Sequence, residues 1–496
     1  MDRLRRSLRQ VVHRHPVPLL LAVMAYAPML ATSPGKVSAD TKSYLTLDPA
    51  RLLSRAISMW DPSVGAGTVT HQNIGFLFPL GPYYWTMERL GVPDWIAQRL
   101  LWGTLVFAAA FGTWRLLRWM GWASAPTAVA AAAYGWSPYL FSYLARLSVI
   151  LGPWAAMPWL ILFAARAVRS GGWRHPAWFA LCVALVGSSN ATSLLLVLIG
   201  PALWVIVELI NREVARRAVL TAAARTGVLS VGVSLWWIAG LGVQGAYGIP
   251  ILRYTETYET VARASTPAEL MRGLGYWFFY GGDKLDQWVG PSKPYFSNPP
   301  LMTLGFTLAG VALLGLFVAF RGRRQAGALV VVGLAVSAGA APWPGGSLYG
   351  RMFKAFTDTT SGMAMRSTPR AVPVLLLGLA MGLGGAGQWA AQQVRRRRGR
   401  RRSGRATYAV LGVLLAVQAL PWFTLRALTP SLLRGETLPG YERDLAAWVE
   451  QIPIPETRGY VRRVLRSYAT YKLLYDPRAL PRTQVTALPP LRPPGT

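Results

Sequence analysis

The residue best placed to do chemistry in this sequence is Asp40, which follows the first long apolar segment, about 16–32, by a few positions. An apolar segment of that length crosses a membrane as a helix, so the Asp40 carboxylate lies close to the membrane surface on a short tether. A carboxylate in that position can deprotonate a hydroxyl group that attacks a lipid-linked substrate. The alternative interpretation is an ordinary solvated loop acid, because functional carboxylates are a minority.

A sugar carried on a polyprenyl phosphate would suit a site with one carboxylate. The departing phosphate has a second pKa of about 6, so it leaves without a general acid. Arginine or lysine side chains would then hold it. Lys42 lies beside Asp40, and Arg366 and Arg370 come just before a later apolar segment. Binding of lipid headgroups by Lys42, or snorkelling of the two arginines, is the alternative role.

Asp48 and Pro49 open a predicted helix in the same outer segment, with Asp48 as N-cap and Pro49 at the first helical position. We therefore expect Asp48 to cap the helix rather than to catalyse. Apolar residues recur at helical spacing from Ala50 to Trp60, which predicts an amphipathic helix lying on the membrane. His71 is the only histidine predicted to face outward, where it either binds substrate or makes a structural hydrogen bond.

A later segment, 244–299, interleaves aromatic and charged residues, among them Tyr258 and Arg263. Aromatic rings with polar tips suit sugar binding, and they suit an interfacial aromatic belt equally well. The sequence leaves both roles open.

Composition shows which elements must position these residues. The chain has 496 residues, 53% of them hydrophobic and only 15% charged, with a mean hydropathy of +0.31. This excludes a string of soluble domains and predicts an all-α polytopic membrane protein. Eleven spans are predicted at about 16–32, 98–114, 125–144, 147–165, 176–190, 193–210, 226–243, 300–320, 325–341, 371–391 and 406–425.

The 52 basic and 20 acidic residues, a net charge of +32, predict how the spans are oriented. With the N-terminus in the cytoplasm and the C-terminus outside, every short inner loop is basic, as the positive-inside rule requires. Only three acids then lie inside. The positive charge is therefore explained by the orientation of the spans, and it no longer indicates nucleic-acid binding. We expect a membrane domain over 1–425 with outer loops at about 33–97, 244–299 and 342–370, followed by an outer tail over 426–496.

The arginine-rich run 395–405 is predicted to face the cytoplasm. We expect it to bind anionic lipids, or to dock an acidic cytosolic protein such as an acyl carrier protein. A single cysteine and four scattered histidines exclude an intrachain disulfide and a Cys-rich metal site. No cofactor is expected, although a divalent metal ion stays open.

The segments Ser38–Arg55, Met59–Gly75 and Gly91–Leu100 resemble the actinobacterial alpha-(1→3)-arabinofuranosyltransferase family, the mycobacterial arabinosyltransferase D type. The resemblance is dense over about 35–105 and continues more loosely to about 450. It implies a GT-C glycosyltransferase fold in the cell membrane and an extracytoplasmic active site. The implied reaction is inverting transfer from decaprenyl-phosphoryl arabinofuranose to an arabinan hydroxyl of arabinogalactan or lipoarabinomannan. Family members are longer, so 426–496 is expected to begin a larger outer domain.

The resemblance assigns a role to one residue of this chain, and the other candidates follow from residue type and position in the outer segments. Asp40 occupies the position of the catalytic base. The donor-phosphate candidates are Lys42, Arg263, Arg366 and Arg370, and the substrate-binding candidates are Asp48, His71, Gln72, Asn73 and Tyr258. Three alternatives remain: transfer of another sugar such as mannose, a transporter, and a non-catalytic scaffold that binds arabinan. Transporters usually carry ionisable residues within their spans, and almost none occur here beyond Glu208.

Overall fold

The structure is a computed structural model that describes residues 16–40, 44–61, 68–69, 73–144, 146–248, 252, 255–282, 287–343, 346–359, 362–398 and 401–435. Its longer helices are α1 (Pro16–Ala31), α6 (Asp94–Trp119), α7 (Ser124–Gly135), α9 (Leu151–Ser170), α10 (Arg174–Val186), α12 (Ile199–Ile210), α13 (Arg216–Tyr247), α17 (Pro299–Gly315), α18 (Arg323–Ala338), α20 (Val372–Arg398) and α21 (Arg401–Gln418).

Short elements connect these helices. The short helices are α2 (Tyr44–Leu47), α3 (Pro49–Ser54), α4 (Asn73–Phe76), α5 (Leu80–Arg89), α8 (Pro138–Tyr143), α11 (Ala191–Val197), α14 (Tyr258–Ala264), α15 (Pro267–Met271), α16 (Lys293–Ser297), α19 (Leu348–Thr357) and α22 (Leu420–Phe423). The strands are β1 (Lys36–Ser38), β2 (Trp60–Asp61), β3 (Thr68–Val69) and β4 (Leu433–Gly435), with β1 pairing with β4 and β2 with β3.

Each of the eleven predicted spans contains helix. The predicted break near 187–190 is confirmed, because α10 ends at Val186 and the Asn190 side chain caps α11. Among the described residues, five helical segments are long and apolar enough to cross a membrane: Asp94–Trp119, Ser148–Ser170, Ala191–Ile210, Arg216–Tyr247 and Thr368–Arg397. Four shorter apolar helices accompany them. The chain is therefore a helical membrane protein, and the number and direction of its crossings stay predictions.

Helix α20 lies at the centre of this bundle, packed against α7, α17, α18 and α21. Small residues let the backbones approach closely, as is typical of helix packing in membranes. A methyl group added at Gly382 of α20 would lie 2.2 Å from the Ala312 carbonyl oxygen of α17. One added at Gly333 of α18 would lie 2.5 Å from the Leu375 backbone nitrogen. Glycine at these positions therefore sets the spacing between α20 and its neighbours.

Contacts between connecting segments group them into two sets. In the first set, the Trp122 indole donates to the Arg321 carbonyl at 3.0 Å, and Arg169 forms ion pairs with Glu208 and Glu213 at 2.6 and 3.3 Å. These residues lie at the ends of spans that the sequence predicts to be cytoplasmic. In the second set, contacts join the 36–40, 146–150, 190–192, 290, 364–370 and 429–432 segments. All of these lie in segments that were predicted to face outward or at the outer ends of predicted spans.

The chain divides into two compact units. The larger contains Met1–Thr41, Trp95–Leu235 and Leu252–Arg434, and the smaller contains Lys42–Asp94, Trp236–Ile251 and Gly435–Thr496. The membrane domain and tail expected from the sequence, with a boundary near 425, stay a prediction.

Within the smaller unit, the predicted helix from Ala50 to Trp60 proves shorter than expected. Helix α3 ends at Ser54, and the chain continues in tight turns to the β2–β3 hairpin. An ion pair between Arg55 and the buried Asp61 folds the chain back on itself. Leu52 is buried against α5, so an intramolecular contact occupies part of the apolar face that was expected to lie on the membrane.

Replacing Gly382 with alanine should destabilise the bundle. The new methyl group falls within 2.2 Å of a backbone carbonyl oxygen that cannot move without shifting α17. Overpacking of this kind costs about 1–3 kcal/mol. Thermal unfolding of the purified protein in detergent, followed by fluorescence-detected size exclusion, should show a lower midpoint for Gly382→Ala.

Gly310→Ala in α17 is the matched control, because a methyl group there meets no atom within 4 Å. Its midpoint should equal that of the wild type or rise slightly through better helix propensity. Equal midpoints for Gly382→Ala and wild type would contradict the close approach of α17 and α20.

Candidate active site

Asp40 lies two residues beyond β1, and its carboxylate is held by the start of another helix. The Ser148 backbone N–H donates to Asp40 Oδ1 at 3.1 Å, and the Ser148 hydroxyl donates to Oδ2. Ser148 opens the 3-10 turn Ser148–Ile150 that leads into α9. The two hydrogen bonds from Ser148 therefore fix the direction of the carboxylate.

A buried polar clamp holds the segment that leads to this carboxylate. The Gln98 side chain at the start of α6 exchanges two hydrogen bonds with the Ser38 backbone, at 2.8 and 2.9 Å. The fully buried Arg99 donates to the carbonyl oxygens of Thr32 and Lys36, at 3.3 and 2.9 Å. These bonds fix the course of the chain from the end of α1 through β1.

Aromatic rings lie next to the loop that carries Ser148. Tyr143, at the end of α8, stacks on Tyr276 with ring centres 4.5 Å apart. The Arg146 guanidinium lies over the Phe278 ring, 4.6 Å from its centre. Tyr276 and Phe278 belong to the predicted aromatic segment, so the 3-10 turn Trp277–Tyr280 and its neighbours form an aromatic wall beside Tyr143 and Arg146.

Arg370 brings a cation to the same wall. It is half-buried on the 3-10 turn Thr368–Ala371 that precedes α20. Its Nη1 lies 3.5 Å from Asn190 Oδ1, and its Nε is buried without a hydrogen-bond partner among the described residues. Burial raises the pKa of the Tyr276 hydroxyl, while Arg370 and Arg146 oppose that shift and Glu256 adds to it. Arg370 thus retains hydrogen-bonding capacity toward an anionic ligand.

Arg366 is more heavily engaged than Arg370. It is buried, and its Nη2 donates to the Leu252 carbonyl at 2.8 Å and to the Thr255 hydroxyl. The adjacent Ser367 hydroxyl donates to Glu256. Burial lowers the pKa of the Arg366 guanidinium, and Glu256 opposes that shift. Arg366 therefore ties segment 252–256 to the start of α20.

Two other predicted residues lie on α14. Arg263 is exposed and pairs with Glu259, one turn earlier, at 2.6 Å. Tyr258 stacks on Phe353 and meets the edge of Trp343, with ring centres 6.3 and 6.1 Å apart. Burial raises the pKa of Tyr258 to about 12. The ion pair of Arg263 is thus local, whereas Tyr258 packs on rings from a distant segment.

The remaining predicted residues lie in the smaller unit. The Asp48 carboxylate accepts the Arg51 backbone N–H at 2.9 Å, so its role as helix cap is confirmed. Asn73 is the first residue of α4. Lys42, His71 and Gln72 lie outside the described residues, and their roles stay predictions.

Ser148 and Arg146 were missed among the sequence candidates. Arg146 falls in the short gap between two predicted spans, and an isolated cation there was an available signal. Ser148 carried no such sequence signal, because it lies inside the predicted span 147–165 like any other small residue. Among the described residues, no three His, Cys, Asp or Glu side chains cluster in a geometry suited to a metal ion.

Comparison with known proteins agrees with the fold. The family model described as the N-terminal GT-C domain of alpha-(1->3)-arabinofuranosyltransferase matches residues 24–461. The chain is 28% identical over 460 residues to the alpha-(1->3)-arabinofuranosyltransferase of Mycolicibacterium smegmatis, covering 87% of this chain and 31% of that protein. It is 29% identical over 380 residues to the Mycobacterium tuberculosis protein of that name, covering 73% and 26%.

The chain thus spans less than a third of the length of these two curated relatives. Its fold is similar to the cryo-EM structure of the arabinofuranosyltransferase AftD from Mycobacteria. The TM-score is 0.63 at 22% sequence identity, over 87% of this chain and 28% of that one. The resemblance noted in the sequence is confirmed: the chain belongs to the family of the N-terminal GT-C domain of alpha-(1→3)-arabinofuranosyltransferases.

Proposed function

We propose that this domain transfers arabinofuranose, with inversion, from decaprenyl-phosphoryl arabinofuranose to a hydroxyl of an arabinan chain outside the membrane. The observation that carries the proposal is the oriented Asp40 carboxylate beside an aromatic wall that also holds Arg370, in a chain of this family. The names of the curated relatives support the sugar that is transferred.

In the proposed reaction, Asp40 removes the proton from the acceptor hydroxyl. The acceptor oxygen then forms a bond to C1 of the arabinofuranose as the bond from C1 to the phosphate oxygen breaks. Because the nucleophile enters opposite the leaving group, the configuration at C1 inverts. Ser148 orients the carboxylate for this step, since both Asp40 oxygens accept hydrogen bonds from it.

The leaving group departs as the polyprenyl phosphate dianion. Arg370 is proposed to hold this phosphate, because a charge-assisted hydrogen bond from arginine is strong and directional. Arg366 is proposed to act alongside it by keeping segment 252–256 in place. Tyr276 and Phe278 would exclude water from the oxocarbenium-like transition state, which strengthens the electrostatic interactions around it.

The acceptor, arabinogalactan or lipoarabinomannan, lies outside the cell, which requires an extracytoplasmic site. The distribution of basic residues supports this orientation. Binding of the arginine-rich run 395–405 to anionic lipids, or to an acidic cytosolic protein, is part of the same topology and stays a prediction.

Asp40→Asn should abolish most of the transfer activity. Asparagine keeps the shape of the side chain but is not a base, so kcat should fall by roughly 10²–10⁴. Membranes containing the variant would be assayed with synthetic donor and an arabinan acceptor, and product formation would be followed by mass spectrometry.

Asp48→Asn is the matched control. Asparagine caps helices as well as aspartate does, so helix α3 and the activity should both persist. Full activity of Asp40→Asn would refute the assignment of the base. Competition by polyprenyl-phosphoryl mannose, with transfer of mannose instead, would refute the choice of donor.

Arg370→Gln should weaken use of the donor. Loss of a hydrogen bond to a charged group costs about 1.5–3 kcal/mol, so kcat/KM for the donor should fall by roughly 10- to 100-fold. Steady-state kinetics at saturating acceptor would measure this fall.

Arg263→Gln removes an equally charged but exposed side chain that already pairs with Glu259. Its kinetic constants should stay within about twofold of the wild type, because exposed ion pairs contribute little. An equal loss in Arg263→Gln and Arg370→Gln would contradict the phosphate site proposed here.

A further inference from the structure

Helix α19 has an apolar face that no described part of the chain covers. Leu348, Met352 and Phe356 lie four residues apart along one side, with 68%, 67% and 48% of their surfaces exposed. Residues at this spacing share one helix face. Tyr349 lies beside them and is 42% exposed. Three large apolar side chains in a row, flanked by a tyrosine, form a surface suited to an apolar partner.

The opposite side of α19 packs against the protein, and the helix also carries charged side chains. Gly350 lies against Ala340, where an added methyl group would be 3.2 Å from the Ala340 Cα. Phe353 stacks on Tyr258 with ring centres 6.3 Å apart. Lys354 lies on the side away from the apolar face and pairs with Asp358 at 2.6 Å, while the exposed Arg351 flanks that face next to Leu348. The helix is therefore amphipathic and attached along one edge.

The position of α19 favours a bilayer as the partner. Ala340 comes two residues after Ala338, the last residue of the apolar helix α18, so the contact with Gly350 holds α19 at the end of α18. After α19 the chain passes Arg366 and then the 3-10 turn Thr368–Ala371, which contains Arg370, before it enters α20. Both ends of the segment are thus tied to the ends of membrane helices.

We propose that α19 is an interfacial helix that inserts Leu348, Met352 and Phe356 into the acyl-chain region of the outer leaflet. An amphipathic helix in this setting buries its apolar face about 5–10 Å into the boundary between headgroups and acyl chains. Arg351 and Lys354 then reach the anionic phosphates of the headgroups. The bilayer holds the segment that leads to Arg366 and Arg370 at the level where a lipid phosphate lies.

The test uses a single labelled cysteine, because Cys182 is the only cysteine in the sequence. In a Cys182→Ser background, Met352→Cys and Arg351→Cys are labelled with an environment-sensitive fluorophore. The proteins are reconstituted in phosphatidylcholine vesicles that contain a minority of phosphatidylglycerol. Lipids brominated on the acyl chain should quench the label at position 352 at least about twofold more strongly than at 351, since only that side chain lies among the chains. Aqueous iodide should show the reverse order.

Leu348→Cys lies one turn earlier on the same face, so its label should be quenched like the label in Met352→Cys. Agreement between the two variants excludes a local distortion caused by one substitution. Equal quenching at 351 and 352 by both reagents would overturn the proposal. So would protection of position 352 from iodide without quenching by brominated lipid, since that result means protein covers the face. None of these readouts depends on catalytic activity, so they stand whether or not the proposed transfer is correct.

Discussion

The candidate site depends on the hydrogen bonds of one buried guanidinium, that of Arg99. A charge removed from water costs several kcal/mol unless hydrogen bonds and opposite charges replace its solvation. Arg99 meets this requirement with the carbonyl oxygens of Thr32 and Lys36 and with Gln98, at 3.3, 2.9 and 2.7 Å. Thr32 and Lys36 both lie in the segment that follows α1. The hydrogen bonds that solvate the Arg99 charge therefore also fix the direction of the chain that reaches Asp40. Asp40, the proposed base, is therefore positioned by a helix that is distant in sequence.

The candidate site takes residues from several segments that are far apart in the sequence. The start of α9 contributes Ser148, the loop before it contributes Arg146, and the start of α20 contributes Arg370. The tight packing of glycines in α17, α18 and α20 sets where α20 begins, and so where Arg370 lies. The same packing thus serves the chemistry, since a shift of α20 along its axis would move the proposed phosphate ligand.

Much of the architecture could be predicted from the sequence, because apolar length and the placement of arginines reflect the membrane directly. Asp40 and Arg370 became candidates for the same reason, because both lie at the ends of predicted spans. Other features depend on contacts between distant residues and left no local signal. Ser148 and Gln98 read as ordinary span residues, and Arg263 could not be separated from Arg370 because exposure is a tertiary property. The helix predicted from Ala50 to Trp60 failed because the ion pair between Arg55 and Asp61 turns the chain back.

The central claim is that Asp40 and Arg370 face one donor molecule. The most direct measurement is a cryo-EM structure in a lipid nanodisc with a non-transferable donor analogue, a polyprenyl phosphonate of arabinofuranose. The proposed mechanism predicts that the phosphonate lies within about 4 Å of the Arg370 guanidinium. It also predicts that the anomeric carbon lies on the side of the Asp40 carboxylate. An analogue bound with its phosphonate on Arg263, or elsewhere with both Asp40 and Arg370 unoccupied, would contradict it.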